Sequence, residues 1–241
     1  MRWPRHDFKA VPAMTGGMWA AVPVKDMAEA KTRLSPALAP KERRQLFRLM
    51  LEDVLAALVE VPKLAGVMVV TRDEEVASLG TTYGVRILLE AENCGQSAAV
   101  AHAAITLKSE GVTGLLTVPA DVPLMTAELV EQLLLIQAPA PAVTIVPDTN
   151  GRGTNALLCS PPDLIDFHFG DDSFQPHLAE ARRHGCKPAV IYMPDIGLDI
   201  DRPDDLAKLI AGPGATRAQA WLNDSGIARR LAAAAGRLED Q

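Results

Sequence analysis

The chain has 241 residues, of which 48% are apolar, 22% charged and only 4% aromatic, with a net charge of −6. That length holds one large α/β domain or two small ones with a sizeable core, and the composition excludes disorder, collagen-like repeats and an aromatic platform for single-stranded nucleic acid. No apolar run approaches the roughly 18 residues that a membrane-spanning helix needs.

The three cysteines, Cys94, Cys159 and Cys186, are far apart and imply neither a disulfide framework nor a zinc site. The start, MRWPRHDFKAVPAMTGG, is basic but has no apolar signal-peptide core, so residues 1–17 are expected to be a flexible, cytoplasmic N-terminus. Charge is uneven along the chain. Residues 1–50 carry ten Lys/Arg against four Asp/Glu, whereas the remainder carries 14 against 26. An acidic chain argues against nonspecific nucleic-acid binding, and a basic segment facing acidic loops suits a small polyanion that arrives with a divalent cation.

Strands and helices alternate almost throughout. Met18–Val24 reads as a buried strand after Gly16-Gly17, and Pro40 opens a helix to about Val61 with one broad apolar face. Gly66–Thr71 is a second strand, Asp73 caps a short helix that ends near Gly80 or Gly84, and Val85–Leu89 is a third strand. An Ala-rich helix over Gly95–Leu107 precedes a fourth strand, Leu115–Val118, and the loop Pro119–Leu124. Thr126 then caps a helix over Ala127–Gln137. Ala142–Val146 and Asn155–Cys159 are strands flanking a Gly-rich turn. Next come a helix over Ser173–His184, a strand over Pro188–Tyr192 and a helix over Asp204–Ile210. This order predicts a mixed, mostly parallel, Rossmann-like sheet with helices on both faces and sites at the C-terminal ends of its strands. One domain is expected over residues 18–211. An Ala/Arg-rich helical tail over 212–241, broken at Gly226, is expected to be either a homodimer contact or a loose end.

Four constellations carry the chemistry. The loop after the first strand, V-P-V-K-D-M-A-E-A-K-T-R-L, supplies Lys25, Lys31 and Arg33, three cations where an α/β sheet places phosphate ligands. It is neither a Walker A loop nor a G-x-G-x-x-G turn, and a solvated charged loop is the competing explanation. In V-P-A-D-V-P-L, Asp121 sits between Pro119 and Pro123 on a backbone with little freedom, which suits a metal-holding carboxylate. In G-L-D-I-D-R-P-D-D-L, alternation puts Asp199 and Asp201 on one side of an extended segment, with Asp199 read as the ligand and Asp201 as the cap of the following helix. In D-T-N-G-R-G-T-N-A-L and F-G-D-D-S-F, Gly151 and Gly153 permit close approach, Thr154 offers a hydroxyl, and Gly170 and Ser173 lie at a helix start. The alternative there is a plain hairpin turn and a Ser N-cap. His177 lies one turn into that helix without an evident nucleophile to pair with, and His102 reads as core or surface.

Taken in order, these motifs resemble the guanylyltransferases of coenzyme F420 biosynthesis (the CofC/FbiD family), from about Met18 to Ile210. The resemblance implies a fold of the nucleotide-diphospho-sugar transferase (GT-A) type. It implies transfer of GMP from GTP to a phosphorylated three-carbon acid with release of pyrophosphate. It further implies Mg²⁺ on Asp121 and Asp199, the acid on Thr154, Gly170 and Ser173, and the GTP phosphates facing Lys25, Lys31 and Arg33. Lys25, Gly95, Ser97 and Pro119 would contact the nucleotide. The chain departs from the family's L-N-x-A-I stretch, reading Gln96-Ser97-Ala98-Ala99-Val100, which tilts the expected acid toward 3-phospho-D-glycerate over phosphoenolpyruvate or 2-phospho-L-lactate. A molybdopterin-type or other nucleotidyltransferase, and a non-catalytic nucleotide-binding module, are the alternatives.

Overall fold

The computed structural model describes residues 16–27, 31–92, 94–212 and 216–239, with side chains up to Ala233. Residues 1–15 of the expected N-terminal arm, 28–30 of the first cationic loop and 213–215, including Gly214, lie outside the described residues.

Apolar runs become strands and amphipathic runs become helices, much as the patterning dictates. The order is β1 (Met18–Pro23), α1 (Pro40–Val59), β2 (Leu64–Thr71), α2 (Glu74–Thr82), β3 (Arg86–Leu89), α3 (Gln96–Ser109), β4 (Gly114–Thr117) and α4 (Ala127–Ile136). There follow β5 (Ala142–Pro147), β6 (Thr154–Ser160), α5 (Phe174–Arg183), β7 (Ala189–Val190), α6 (Pro194–Gly197), α7 (Pro203–Ala211), α8 (Arg217–Asp224) and α9 (Ile227–Glu239). Asp73 caps α2 by accepting from Glu75 N and Val76 N, and Thr126 caps α4 by accepting from Leu129 N.

One seven-stranded sheet runs β3-β2-β1-β4-β6-β5-β7. Neighbours are parallel except at β6, which is antiparallel to both β4 and β5. Alternation along β1 sends Ala20 and Val22 into a core under α1, α2, α4, α7 and α8, while Trp19 and Ala21 face the core under α3. Phe167 and Phe169 join the α3 core to the one under α5. Gly66 pairs with Trp19 in register, and a Cβ there would sit 2.6 Å from the indole, so the large ring at this crossing requires glycine.

The strand expected over Pro188–Tyr192 shrinks to two residues. It pairs only with Thr144 and Ile145 at the sheet edge, and Tyr192 is exposed. Past residue 216, Gly226 (φ +78°) does break the helical stretch. Ala218, Leu222 and Ile227 are buried in the main core, and the carboxylate of Asp53 on α1 accepts from Arg217 N and Ala218 N at 2.9 and 3.0 Å. This part of the tail is therefore packed on the domain.

The strand order reverses between β1 and β4: from β1 the chain builds outward to β2 and β3 on one side, then returns to β4 on the other. A crevice opens at such a switch point beyond the C-terminal ends of the strands.

Candidate active site

The loops after β1 and β4 face each other across this crevice, and a third segment, residues 197–202, is tied to them. Ile200 N donates to Asp121 O at 3.0 Å, and the Ile200 side chain is fully buried. Its neighbours Asp199 and Asp201 consequently turn the other way, toward Asp121. Oxygens of Asp121, Asp199 and Asp201 all lie within 4.8 Å of one another.

Asp201 corrects the sequence expectation. It does not cap α7, because Asp205 Oδ2 takes that task, accepting from Arg202 N at 2.9 Å and Asp201 N at 3.3 Å. The Asp201 carboxylate is left free for the cluster, where it bonds Lys31 at 2.5 Å and Arg33 at 3.5 Å.

Three carboxylates this close repel one another unless positive charge intervenes. Lys31 supplies it, bonding Asp121 Oδ2 and Asp201 Oδ1 with a side chain only 5% exposed. Burial alone would lower its ammonium pKa, but the two carboxylates outweigh burial and hold it above the ordinary value. Lys31 has left-handed backbone (φ +59°), the only such non-glycine residue among those described. Burial likewise works to raise the Asp201 carboxyl, and Lys31 overrides it, keeping the group below its usual range. Asp199 makes no ion pair among the described residues, and Lys31 acts on it only weakly from a distance. Burial, and then the charge of Asp121, push it up to about 6. Asp121 Oδ1 is buried without a hydrogen-bond partner among the described residues.

Two clefts meet at this cluster. The larger, about 570 Å³, is lined by Thr154, Gly170, Ser173, Arg152, Arg33 and Asp199 among others. The smaller, about 400 Å³, is lined by Pro23, Lys25, Glu90, Gly95, Ala99 and Lys31 among others. Gln96, Pro119, Asp121 and Asp201 line both. The sequence-derived residues thus divide: Thr154, Gly170, Ser173 and Arg33 on one side, Lys25, Lys31 and Gly95 on the other, Pro119 and Asp121 at the seam. Lys25 is exposed, whereas Arg33 is engaged with Asp171 at 3.1 Å. Ser97 lines neither cleft. Its hydroxyl accepts from Phe169 N at 2.8 Å and fastens the loop before Gly170 to the start of α3.

Several residues of the site were not singled out from sequence. Asn155, buried on β6, donates through Nδ2 to Asp199 Oδ1 (3.1 Å), Ile196 O (3.1 Å) and Gly197 O (2.9 Å). A polar amide directly before the apolar run A-L-L-C, within a buried strand, was the available signal. Glu90, at the end of β3, lines the smaller cleft, and burial raises its carboxyl pKa. His177 does find a partner: its Nδ1 lies 3.0 Å from Thr154 Oγ1. Ser173 begins α5, but its side chain makes no cap hydrogen bond, so the plain N-cap explanation does not describe it.

Residues 18–239 match the family model for guanylyl transferases described as CofC like. The chain belongs to this family. Among relatives of this CofC-like guanylyl transferase, the phosphoenolpyruvate guanylyltransferase of Roseiflexus castenholzii is 41% identical over 202 residues, covering 84% of this chain and 92% of that one. The 3-phospho-D-glycerate guanylyltransferase of Colwellia psychrerythraea is 35% identical, covering 78% and 89%. The 2-phospho-L-lactate guanylyltransferase of Methanothermobacter thermautotrophicus is 34% identical, covering 84% and 88%. In fold, the chain is similar to a protein of Desulfovibrio desulfuricans provisionally named a nucleotide-diphospho-sugar transferase, with a TM-score of 0.73 at 18% identity over 90% of this chain and 99% of that one. A nucleotidyl transferase from the Methanothermobacter genus superposes with a TM-score of 0.57 at 17% identity, covering 80% and 95%. The fold is that of the nucleotide-diphospho-sugar transferases. Among the described residues no helix is long and apolar enough to cross a membrane.

Proposed function

We propose that this CofC-like guanylyl transferase moves GMP from GTP to the phosphate of a small phosphorylated carboxylic acid in coenzyme F420 biosynthesis, with GTP in the smaller cleft and the acid in the larger. One observation carries this reading: Asp121 and Asp201 line both clefts, so two anionic substrates would approach each other over the carboxylate cluster.

The donor set fits Mg²⁺. Three carboxylates offer hard oxygen ligands, Asp121 Oδ1 has no hydrogen-bond partner among the described residues, and Asp199, whose pKa is raised by burial first and by the charge of Asp121 second, faces a repulsion that a cation would relieve. Asp121 and Asp199 would hold the ion, with Asp201 beside them. Bound there, Mg²⁺ supplies positive charge against the phosphate oxygens between which the transfer occurs.

The chain's own part is positioning and charge. Lys25 and Lys31 face the triphosphate, and Arg33 lines the acid cleft. Thr154, Gly170 and Ser173 hold the acid. An oxygen of its phosphate attacks the α-phosphorus of GTP, the new P–O–P linkage forms, and the bond to the β-phosphate breaks as pyrophosphate leaves. No protein nucleophile is required.

The test is pyrophosphate release by the purified protein with Mg²⁺, using GTP, CTP or ATP against phosphoenolpyruvate, 2-phospho-L-lactate or 3-phospho-D-glycerate. Turnover that needs GTP and one of these acids is expected. The same rate with CTP or ATP, or none with any acid, overturns the proposal.

A further inference from the structure

We infer that His177 is a positioning residue that turns the Thr154 hydroxyl into a hydrogen-bond donor aimed at the acid. The inference rests on the functional reading above and adds a residue to it.

The argument is one of proton placement. His177 is fully buried, and its Nε2 lies 3.0 Å from the backbone nitrogen of His168. An amide N–H only donates, so Nε2 must present its lone pair. Burial, then the charge of nearby His168, lower the imidazole pKa to about 4, and the ring is neutral at physiological pH. A neutral ring whose Nε2 accepts carries its proton on Nδ1. That Nδ1–H meets Thr154 Oγ1 at 3.0 Å and donates to it.

The threonine hydroxyl therefore accepts from behind and keeps its own proton for another partner. Thr154 Oγ1 makes no second hydrogen bond among the described residues, and Thr154 lines the larger cleft beside Gly170 and Ser173. A hydroxyl polarised this way suits a carboxylate or phosphate oxygen. Had Nδ1 been the accepting nitrogen, Thr154 would have spent its proton on the imidazole and faced the acid with lone pairs. The ring is held in place by Phe169, whose edge-on contact has centroids 4.8 Å apart.

Two substitutions separate the halves of this contact. His177→Asn keeps an N–H donor where Nδ1 stood and loses the bond from His168 N. His177→Gln keeps an acceptor for His168 N and loses Thr154. Because Ser97 independently fastens the loop at Phe169 N, loss of the His168 bond alone leaves that loop anchored.

With GTP and whichever acid the wild type uses, His177→Gln is expected to raise KM for the acid by about tenfold. His177→Asn should stay within about threefold, with KM for GTP unchanged in both. In a Thr154→Val background, His177→Gln should add no further loss. Nitrogen-15 NMR of the wild type should show the His177 proton on Nδ1. Equal effects of Asn and Gln, losses that multiply with Thr154→Val, or a proton on Nε2 would each overturn the assignment. Absence of wild-type turnover with every acid sinks the functional reading and this inference together, whereas normal wild-type turnover with any of those three results sinks this inference alone.

Discussion

Lys31 and Asp201 lie 170 residues apart in the chain and form a 2.5 Å ion pair in which the lysine side chain is almost sealed from solvent. The ammonium neutralises a cluster that would otherwise hold two or three mutually repelling carboxylates. Removing one partner of such a pair costs more than making it gains, because the charges left behind have lost their compensation.

Lys31→Met should therefore lower stability by about 2–3 kcal/mol in EDTA, a Tm fall of roughly 5–10 °C for a chain of this size. Millimolar Mg²⁺ should restore more of the Tm in this variant than it adds to the wild type, since the cation no longer competes with the ammonium for Asp121 and Asp201. Identical Mg²⁺-induced shifts in the two proteins would show that the metal binds elsewhere.

Asn155 bears on the same cluster from beneath. Its amide spans Asp199 and two carbonyls of the segment that leads into it, fixing both the carboxylate and its approach. Asn155→Leu leaves those acceptors buried without donors and frees Asp199 to move. With Mg²⁺ held on Asp199 as proposed, turnover should fall by about 10–100-fold with a weakened Mg²⁺ response, the usual effect of losing the support of a ligand. Titration of Mg²⁺ against rate checks this, and an unchanged Mg²⁺ requirement would dismiss Asn155 as mere packing.

The sequence made the fold legible wherever periodicity was strong: the buried runs of β1, β2 and β4 and the caps Asp73 and Thr126 read directly from residue type and spacing. The convergence of Asp121 with Asp199 was legible too, since one follows a buried strand and the other flanks buried Ile200. The role of Asp201 was not. A carboxylate two residues before a helix-opening proline looks like a cap, and only Asp205, by taking the cap from inside the helix, releases it. The Lys31–Asp121 pair, the Asn155 bridge and the His177–Thr154 contact all join residues whose separation in sequence carries no distance information. Folding alone brings them together.

His177 also gives the protein an acid-sensitive component of stability. Its folded pKa of about 4 lies below the ordinary 6.5 of an unfolded chain, so protons bind the unfolded state first as pH falls. The contribution is fully present above about pH 6.5 and is lost between there and pH 4, at about 1.4 kcal/mol per pH unit. Between pH 7 and 5 this amounts to a loss of about 2 kcal/mol. Urea melts of wild type and His177→Gln at the two pH values measure it. The variant should lose less stability than the wild type over this range, and an equal loss in both would place the acid sensitivity in other groups.

The helices after residue 216 offer a last test, of whether they belong to the domain. Asp53 on α1 accepts from the first backbone N–H groups of α8 at 2.9 and 3.0 Å and from the Arg217 guanidinium at 3.3 Å, so a carboxylate from a distant helix supplements the cap that Thr216 makes to Gln219 N. Such a cap satisfies orphan donors and sits favourably in the helix dipole. Its burial works in the other direction, raising the carboxyl pKa, so the net gain is moderate. Asp53→Ala should cost about 1–2 kcal/mol and lower Tm by roughly 2–8 °C. Asp53 lines neither cleft, so KM for both substrates should stay at the wild-type value. A Tm unchanged by Asp53→Ala would mean that α8 contributes little to the stability of the domain, and a changed KM would mean that α1 and α8 transmit to the site.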